Sequence, residues 1–321
     1  MPTESEIKLR LAPGYLSKVS EHPLVSRDVH QGPMRKHLQS IYFDTPDLGL
    51  LKQGVGLRVR RIDHRWVQTV KGASSGGAGL HRRQEWESEV DNNSPNLERL
   101  AAEAKVGVLG EADLAARLIP VFETDFWRTS WILQIRDESA IELALDEGHI
   151  CSNSRTEPLS ELELELKQGE DRDLYWMALQ LAEIVPLTVE HASKAERGYR
   201  LYTQQFSPLA APEPAPADAV TDFRLLGYWL ADLQYGERLL LERRDPQGCG
   251  HLQAAAENLH RSLVAAGQGV EVHLQEDLDW LVRGLQESKD FAEACHLVAA
   301  PRYSRLLLRL GGYLAELEAR G

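Results

Sequence analysis

The residues with the clearest chemical potential lie at positions 159–167, where glutamates alternate with leucines. Glu161, Glu163 and Glu165 would share one face of a β-strand, and the leucines would share the other. Carboxylates two residues apart on a strand lie about 7 Å from each other and repel by about 2.4 kcal/mol at an effective dielectric constant of about 20. Water could screen this repulsion on an exposed sheet face, or cations could offset it inside a cavity. The stretch alone leaves both environments open.

The beginning of the chain repeats this pattern and adds a base. Glu4, Glu6 and Lys8 alternate with the apolar residues Ile7 and Leu9, so acidic and basic side chains share one face of a predicted strand. An exposed strand produces one such row easily. Two rows with the same order of charges favour a common, enclosed environment.

Basic residues mark the next predicted strands. Arg58 and Arg60 alternate with apolar residues over 57–62, and Lys71 shares a face with Thr69 over 66–72. Charged side chains alternate again over 81–90, and further strands are predicted at 121–128, 130–135 and 141–148. Each of these strands needs somewhere to place a charged face.

Closing the strands into a barrel solves this problem and removes the exposed sheet edges. The charged faces then line a polar lumen, while the apolar faces pack against outer helices, which we predict at 95–118 and 170–184. We therefore predict an α+β fold: an eight-stranded antiparallel β-barrel with flanking helices over 1–206, and a C-terminal all-α bundle of four helices over 220–321. The Pro/Ala-rich stretch 207–219 is the predicted linker.

Composition limits the classes of partner. The 321 residues carry a formal net charge of −13, which argues against nucleic-acid binding. No apolar run approaches membrane-spanning length, and the N-terminus lacks the apolar core of a signal peptide. The cysteines, Cys151, Cys249 and Cys295, are spaced as free thiols. We expect a soluble cytoplasmic protein with no nucleic-acid or membrane partner.

A lumen lined by both acids and bases suits a polyanion that metal ions link to the protein. Carboxylates are hard ligands for Mg²⁺ or Mn²⁺, and lysine and arginine bind phosphate oxygens directly. Hydrolysis of a phosphoanhydride requires charge neutralisation and an aligned water molecule, with little covalent chemistry from the protein. No serine, cysteine or histidine constellation in the sequence suggests a competing nucleophile.

Six ordered motifs resemble the CYTH domain of the triphosphate tunnel metalloenzymes. They are Glu4-x-Glu6-x-Lys8, Tyr42-Phe-Asp-Thr-Pro46, Leu57-Arg-Val-Arg60, Thr69-Val-Lys71-Gly72, Glu161-Leu-Glu-Leu-Glu-Leu-Lys167 and Ser193-Lys194-x-x-Arg197-Gly-Tyr199. The resemblance covers about residues 1–205. It implies an eight-stranded tunnel with the substrate inside.

The resemblance also implies a role for each charged residue of the tunnel. The metal ligands would be Glu4, Glu6, Glu161, Glu163 and Glu165, and the metal would be Mg²⁺ or Mn²⁺. The phosphate-binding residues would be Lys8, Arg58, Arg60, Lys71, Arg83, Arg128 and Lys194. Lys8, Glu142 and Asp146 would be catalytic, the two carboxylates lying near the second metal and the attacking water.

The members of this family differ in chemistry, and the resemblance is strongest to bacterial inorganic triphosphatases that carry a helical domain after the tunnel. We therefore expect hydrolysis of inorganic triphosphate to pyrophosphate and phosphate. Two alternatives stay open: hydrolysis or cyclisation of an organic triphosphate, such as thiamine triphosphate or ATP, and a non-catalytic polyphosphate-binding module. The C-terminal stretch, with Leu259-His260-Arg261 and Leu278-x-Trp280-Leu281, resembles a short CHAD domain, which implies polyphosphate as a further partner.

Overall fold

The computed structural model describes residues 3–27, 29–72, 75–104, 106–111, 113–136, 139–206, 208–213, 223–266 and 271–320. The chain divides into two compact units. The barrel unit comprises residues 1–76, 81–168 and 190–207, and the helical unit comprises residues 77–80, 169–189 and 208–321. Among the described residues, no helix combines the length and the apolar character needed to cross a bilayer.

Eight long strands account for most of the barrel unit. Their bounds are β1 (Thr3–Arg10), β2 (Val29–Asp44), β3 (Gly56–Ile62), β4 (Arg65–Lys71), β5 (Leu80–Val90), β6 (Ile119–Arg136), β7 (Ser139–Ser152) and β8 (Arg155–Gln168). The helices of the barrel unit are α1 (Leu16–Ser20), α2 (Pro23–Arg27), α3 (Gly49–Lys52), α4 (Leu97–Ala104), α5 (Leu114–Arg117) and α7 (Lys194–Thr203).

The strands close into a barrel, as the sequence predicted. Neighbouring strands follow the order β5-β4-β3-β2-β6-β7-β8-β1, and β5 also pairs with β1. The seven registers between consecutive strands of this order are antiparallel, so the alternating faces of these strands stay aligned around the barrel. Closure therefore gives every strand one face toward a common interior and one face toward the outside.

The outward faces carry the apolar core. Leu57, Val59 and Val70 are fully buried and pack with Leu100 of α4 and Leu114 of α5 in one hydrophobic cluster. Burying a side chain of this size contributes about 1.5–3 kcal/mol to the free energy of folding. The outer helices that cover this cluster therefore stabilise the barrel wall. The apolar residues face outward because the charged alternates face inward.

The helical unit contains the remaining elements. These are α6 (Asp171–Ala182), the two-residue strand β9 (Thr188–Val189), α8 (Phe223–Arg238), which continues into a π-helical segment (Leu239–Arg243), α9 (Gln247–Ala266), α10 (Val272–Glu287), α11 (Phe291–Ala299) and α12 (Pro301–Arg320). Helices α6 and α12 pack closely: a Cβ added to Gly311 on α12 would lie 2.3 Å from the aromatic ring of Tyr175 on α6. Gly311 permits this approach.

Several predicted elements differ in extent. The predicted helix over 95–118 is divided into α4, a 3₁₀ turn at Gly107–Gly110 and α5, because two glycines weaken the helix between them. The predicted strands at 121–128 and 130–135 form the single strand β6. In the described part of 220–321 there are five α-helices where the sequence predicted four; α11 is the addition.

The domain boundaries at 206 and 220 stay a prediction. Residues 169–189 belong to the helical unit, although they precede the first predicted boundary. Of the predicted linker, residues 208–213 have no regular structure, whereas residues 207 and 214–219 lie outside the described residues, as does the predicted helix start at 220–222.

Candidate active site in the barrel interior

Strands β7 and β8 place three carboxylates at the centre of the barrel interior. Asp146 lies opposite Glu161 in the β7–β8 register, and Glu163 follows two residues later on the same face as Glu161. One oxygen from each of the three carboxylates lies within 4.8 Å of the others. Asp146 and Glu161 are 0% exposed and Glu163 is 7% exposed. Such a concentration of buried negative charge requires cations nearby.

Lys194, the first residue of helix α7, provides the central cation. Its Nζ lies 2.9 Å from Asp146 Oδ2, 2.6 Å from Glu161 Oε2 and 2.7 Å from Glu163 Oε1. Burial alone would lower the pKa of Lys194, but the three carboxylates raise it above the ordinary lysine value. The ammonium group is therefore charged at neutral pH.

Two further bases complete the group. Arg128 of β6 donates from Nε to Asp146 Oδ1 at 2.7 Å, and its Nη2 contacts Glu163. Lys8 of β1 lies 3.0 Å from Glu163 and 2.6 Å from Glu6. Glu163 therefore contacts three cations at once. Burial would raise the pKa of Glu163, but Lys194, Lys8 and Arg128 hold it well below the ordinary range.

A second group lies where β1 meets β5. Arg83 Nη2 lies 2.5 Å from Glu6 and its Nε lies 3.3 Å from Glu4. Lys71 bridges Glu4, at 3.3 Å, and Glu85, at 2.6 Å. Burial and the neighbouring Arg58 and Arg83 lower the pKa of Lys71. Bases from β4 and β5 thus meet acids from β1.

A third group contains the acids near the beginning of β7 and the end of β8. Glu142 lies opposite Glu165 in register, and Lys167 Nζ contacts both, at 2.9 Å and 2.6 Å respectively. Burial, together with Glu4 and Glu142, raises the pKa of Glu165 despite the opposing effect of Lys167. Lys167 was part of a sequence motif but was not assigned a role.

Arginines dominate the opposite wall. Arg58 lies 3.5 Å from Glu85 and 3.5 Å from Glu87. Arg60 Nε donates to Ser40 Oγ at 2.9 Å. Burial and the neighbouring Arg58 and Arg128 lower the pKa of Arg60 to about 10. On this wall, Arg58 pairs with two carboxylates, whereas Arg60 donates to a neutral hydroxyl.

Helix α7 is positioned by the last sequence motif. Ser193 caps the helix by accepting a hydrogen bond from the Glu196 backbone at 3.1 Å. The Tyr199 hydroxyl donates to Asp44 Oδ2 at 2.8 Å. A Cβ on Gly198 would lie 2.2 Å from the Phe122 ring, so only glycine allows the helix to approach β6 this closely. These contacts fix the helix that carries Lys194.

The match to known sequences agrees with this geometry. A profile of the CYTH domain matches residues 2–199, more than half of the chain. The chain belongs to the CYTH domain family. The charged residues of the six motifs line the CYTH barrel or fasten α7 to its wall, whereas apolar motif residues such as Leu57, Val59 and Val70 pack on the outward face.

The chain is also similar to individual proteins. It is 33% identical over 216 residues to an inorganic triphosphatase of Haemophilus influenzae, a stretch that covers 64% of this chain and 57% of that protein. The chain thus spans little more than half the length of this relative. A Hippeastrum protein described as a candidate adenylyl cyclase with a dominant triphosphatase activity superposes with a TM-score of 0.45 at 19% identity, covering 64% of this chain and 98% of that chain. A Mimivirus capping enzyme triphosphatase gives a TM-score of 0.34 at 13% identity, over 57% and 89% of the two chains.

The carboxylate group in the CYTH barrel suits a hard divalent cation. Asp146, Glu161 and Glu163 offer oxygens from three side chains within 4.8 Å, which is the donor type that such ions prefer. Glu161, however, also contacts Arg197, which lies 2.7 Å from Glu157 as well. Glu161 therefore has a structural partner on α7 in addition to its place among the acids.

All of the residues predicted to be in the site belong to the three groups or to the arginine wall. Sequence reasoning assigned no role to several interior side chains that contact them: Ser40, Tyr42, Lys167 and Arg197. Glu85 and Glu87 belong to the alternating charged strand predicted over 81–90, which gave them no definite role, and both contact Arg58. Tyr42 is the clearest of the unassigned residues, because burial would raise its pKa whereas Arg58, Arg60 and Lys71 lower it. Its alternation with Ser40 on β2 was the available signal.

A groove of about 710 Å³ lies outside the barrel, between α1–α2 and the outer faces of β2, β6 and β7. Its lining includes Trp127, Trp131 and Glu147. None of the predicted site residues lines this groove. The charged interior, not the groove, is the candidate active site.

Proposed function

We propose that the barrel hydrolyses inorganic triphosphate to pyrophosphate and phosphate with Mg²⁺ or Mn²⁺. The observation that supports this most strongly is the paired arrangement of acids and bases in one enclosed interior. Carboxylates with no bases would suit a metal alone, and bases with no acids would suit a simple anion. Both together suit a metal–polyanion complex. The similarity to the Haemophilus influenzae inorganic triphosphatase adds independent support.

In this proposal the metal ligands are Glu4, Glu6, Glu161, Glu163 and Glu165. A bound divalent ion would neutralise phosphate charge and polarise a phosphoryl oxygen. Lys194 now contacts the central carboxylates, so its ammonium would transfer its contacts to phosphate oxygens when substrate enters. Helix α7 holds the lysine at the required place through Ser193 and Tyr199.

The phosphate groups would be held by Lys8, Arg58, Arg60, Lys71, Arg83, Arg128 and Lys194. Water attacks the terminal phosphorus, the bond to the bridging oxygen breaks, and pyrophosphate leaves with the bridging oxygen. Lys8 would stabilise the negative charge that develops on this oxygen. Burial would raise the pKa of Asp146, but Arg128 and Lys194 lower it. Asp146 is therefore a weak base, and we propose that it and Glu142 orient the water.

A substrate panel tests this function. Phosphate release from tripolyphosphate, thiamine triphosphate and ATP would be measured with Mg²⁺, with Mn²⁺ and with EDTA. We expect tripolyphosphate to be preferred by at least tenfold in kcat/KM, and EDTA to abolish release. Preference for an organic triphosphate, formation of cyclic AMP, or binding without turnover would overturn the proposal.

Two variants of neighbouring carboxylates serve as a matched pair. Glu163→Gln removes an interior charge that contacts three cations, and we expect a loss of at least about 100-fold in kcat/KM. Glu147→Gln removes an exposed charge from the outer face of β7, and we expect no change in activity. Equal activity of both variants would contradict an interior site.

The remaining sequence predictions keep the status of proposals. We propose a CYTH domain over 1–206, a linker over 207–219 and a CHAD-like helical domain over 220–321, with polyphosphate as a ligand of the last. We also propose a cytoplasmic location, which the free state of Cys151, Cys249 and Cys295 supports.

A further inference from the structure

A row of three interior side chains crosses neighbouring strands of the arginine wall. Thr124 on β6 lies opposite Ser40 on β2, and Ser40 lies opposite Arg60 on β3. The contact from Arg60 to Ser40 fixes the inward direction of both. Thr124 shares its face of β6 with Phe126, whose ring centroid lies 5.7 Å from the Arg60 guanidinium carbon. The three residues therefore line one patch of the interior.

One buried hydroxyl of this patch, that of Thr124, lacks a hydrogen-bond partner among the described residues. Thr124 is 1% exposed. Nε of Arg58, on the adjacent row, is likewise buried and unpartnered within the described part of the chain. The Ser40 oxygen accepts from Arg60, which leaves its own proton for another acceptor. Buried donors of this kind are rare in folded proteins and indicate a missing partner.

The charge of the patch indicates what that partner is. Arg58 and Arg60 lie on the same strand and face, and the polar contact of Arg60 within the described residues is a serine hydroxyl and not a carboxylate. Arg60 stays charged at neutral pH, since its pKa is about 10. A ligand that satisfies several donors and offsets positive charge must be an anion with several acceptor oxygens. A phosphoryl group has both properties.

We propose that Thr124, Ser40 and Arg60 form a subsite for one phosphoryl group, in which the Thr124 hydroxyl donates to a phosphoryl oxygen. The inference rests on the proposed function, because it assigns one part of the triphosphate, or of its phosphate product, to this patch. Thr124 is a binding residue that the charge pattern of the sequence did not indicate. Its hydroxyl is satisfied when the ligand is present.

Two substitutions of Thr124 separate the hydroxyl from the shape of the side chain. Thr124→Val keeps the β-branched shape and removes the hydroxyl, whereas Thr124→Ser keeps the hydroxyl. We expect T124V to raise KM for tripolyphosphate and Ki for orthophosphate about tenfold, because a hydrogen bond to a charged group is lost. We expect kcat to change less than about twofold, since the contact holds ligand in both states. T124S should stay within about twofold of the wild type in all constants.

The thermal midpoint gives a second readout with the opposite sign. T124V removes a buried hydroxyl that has no hydrogen-bond partner among the described residues, so its midpoint without ligand should equal or exceed that of the wild type. A T124V protein with wild-type KM and Ki would overturn the subsite. A rise in KM for tripolyphosphate without a rise in Ki for orthophosphate would support the subsite. It would also assign the subsite to a phosphoryl group that leaves as part of pyrophosphate.

Two further measurements keep the test decisive. If T124V does not fold, Ser40→Ala replaces it and should raise the same constants; unchanged constants would overturn the subsite. If the wild type does not hydrolyse tripolyphosphate, the proposed function fails, but the subsite is still tested by calorimetric titration of tripolyphosphate. In that case equal affinity of the wild type and T124V would overturn the subsite too.

Discussion

The barrel unit and the helical unit both bury carboxylates against bases, but the two sets of contacts are organised differently. In the barrel, Lys194 contacts three carboxylates, and one of them, Glu163, contacts three bases. In the helical unit, Asp277 of α10 accepts from Arg302 Nε at 2.7 Å through one oxygen and contacts Arg309 through the other. In the barrel, Lys194 and Glu163 each contact several groups of opposite charge, whereas each carboxylate oxygen of Asp277 contacts one arginine.

This difference separates a binding arrangement from a structural one. A base that shares several carboxylates can exchange one contact for a phosphate oxygen without leaving any buried charge alone. Arg302 and Arg309 of the helical unit already pair with Asp277, so these two residues are poor candidates for the polyphosphate-binding surface that the CHAD resemblance implied. The comparison leads to three predictions.

The largest effect is expected from Lys194→Met. The substitution leaves three buried carboxylates without their common base, which should cost about 3–5 kcal/mol in the free energy of unfolding. It should also lower kcat/KM by at least about 100-fold, because the cation that we propose to bind phosphate is lost. Urea unfolding and the tripolyphosphate assay measure the two effects.

Lys52→Met is the matched control. Lys52 is largely exposed and lies 3.8 Å from Asp47, a distance at which a surface pair contributes about 0–1 kcal/mol. Its activity and unfolding midpoint should stay those of the wild type. A Lys194→Met protein that behaved like this control would contradict the exchangeable arrangement.

Sequence reasoning succeeded for the charged side chains that lie on strands. Alternation at period two predicted the inward face of each charged strand, because a charged row and an apolar row cannot share one environment. It therefore predicted the barrel and the inward direction of Lys8, Arg60 and Glu163. It did not predict the beginning of β2 at Val29, where Gly32 and Pro33 interrupt the pattern.

Three features could not be predicted from the periodicity of the sequence. The pairing of acids with bases depends on register and on the stagger of the closed barrel, which periodicity does not specify. Arg128 lies opposite Asp146 for this reason. Neutral polar residues such as Ser40 and Thr124 fit either face of a strand, so their inward position was not visible. Helix α11, only nine residues long, carried too little periodicity to be predicted.

A smaller and more selective effect is expected from Asp277→Asn. Both arginines lose a carboxylate, but the Arg302 side chain is 38% exposed, so the helical unit should be destabilised by about 1–3 kcal/mol, without a catalytic cost. The Arg302 guanidinium carbon lies 5.1 Å from the Trp280 ring centroid, so tryptophan fluorescence during urea unfolding includes a local reporter.

The control for this variant is Asp279→Asn, which alters an exposed carboxylate of the same helix that pairs with His260 at 2.8 Å. It should change neither stability nor activity measurably. If Asp277→Asn lowered kcat/KM as much as Lys194→Met does, the division between binding and structural contacts would be wrong.

The smallest effect is expected from Glu165 of strand β8, which should respond to pH with the sign opposite to that of Glu163 on the same face. The pKa of Glu165 is raised, so this carboxyl group favours the fold at low pH and loses that contribution as the pH rises through its folded value. The pKa of Glu163 is lowered, so its contribution is present above the unfolded value of about 4.3 and is lost as the pH falls through its folded value.

Glutamine substitutions in metal-free protein measure these signs. At pH 7, Glu165→Gln should raise the thermal midpoint by about 2 °C, because it mimics the protonated state that the fold favours, and Glu163→Gln should lower it. Both differences should shrink as the pH falls, and that of Glu165 should vanish below about pH 3, where the wild-type carboxyl is protonated in the folded and the unfolded chain. Glu147→Gln, on the outer face, should show neither trend. Equal signs for Glu163 and Glu165 would mean that the neighbouring bases do not lower the pKa of Glu163 relative to that of Glu165. The proposed role of the charged group around Lys194 would then lose its support.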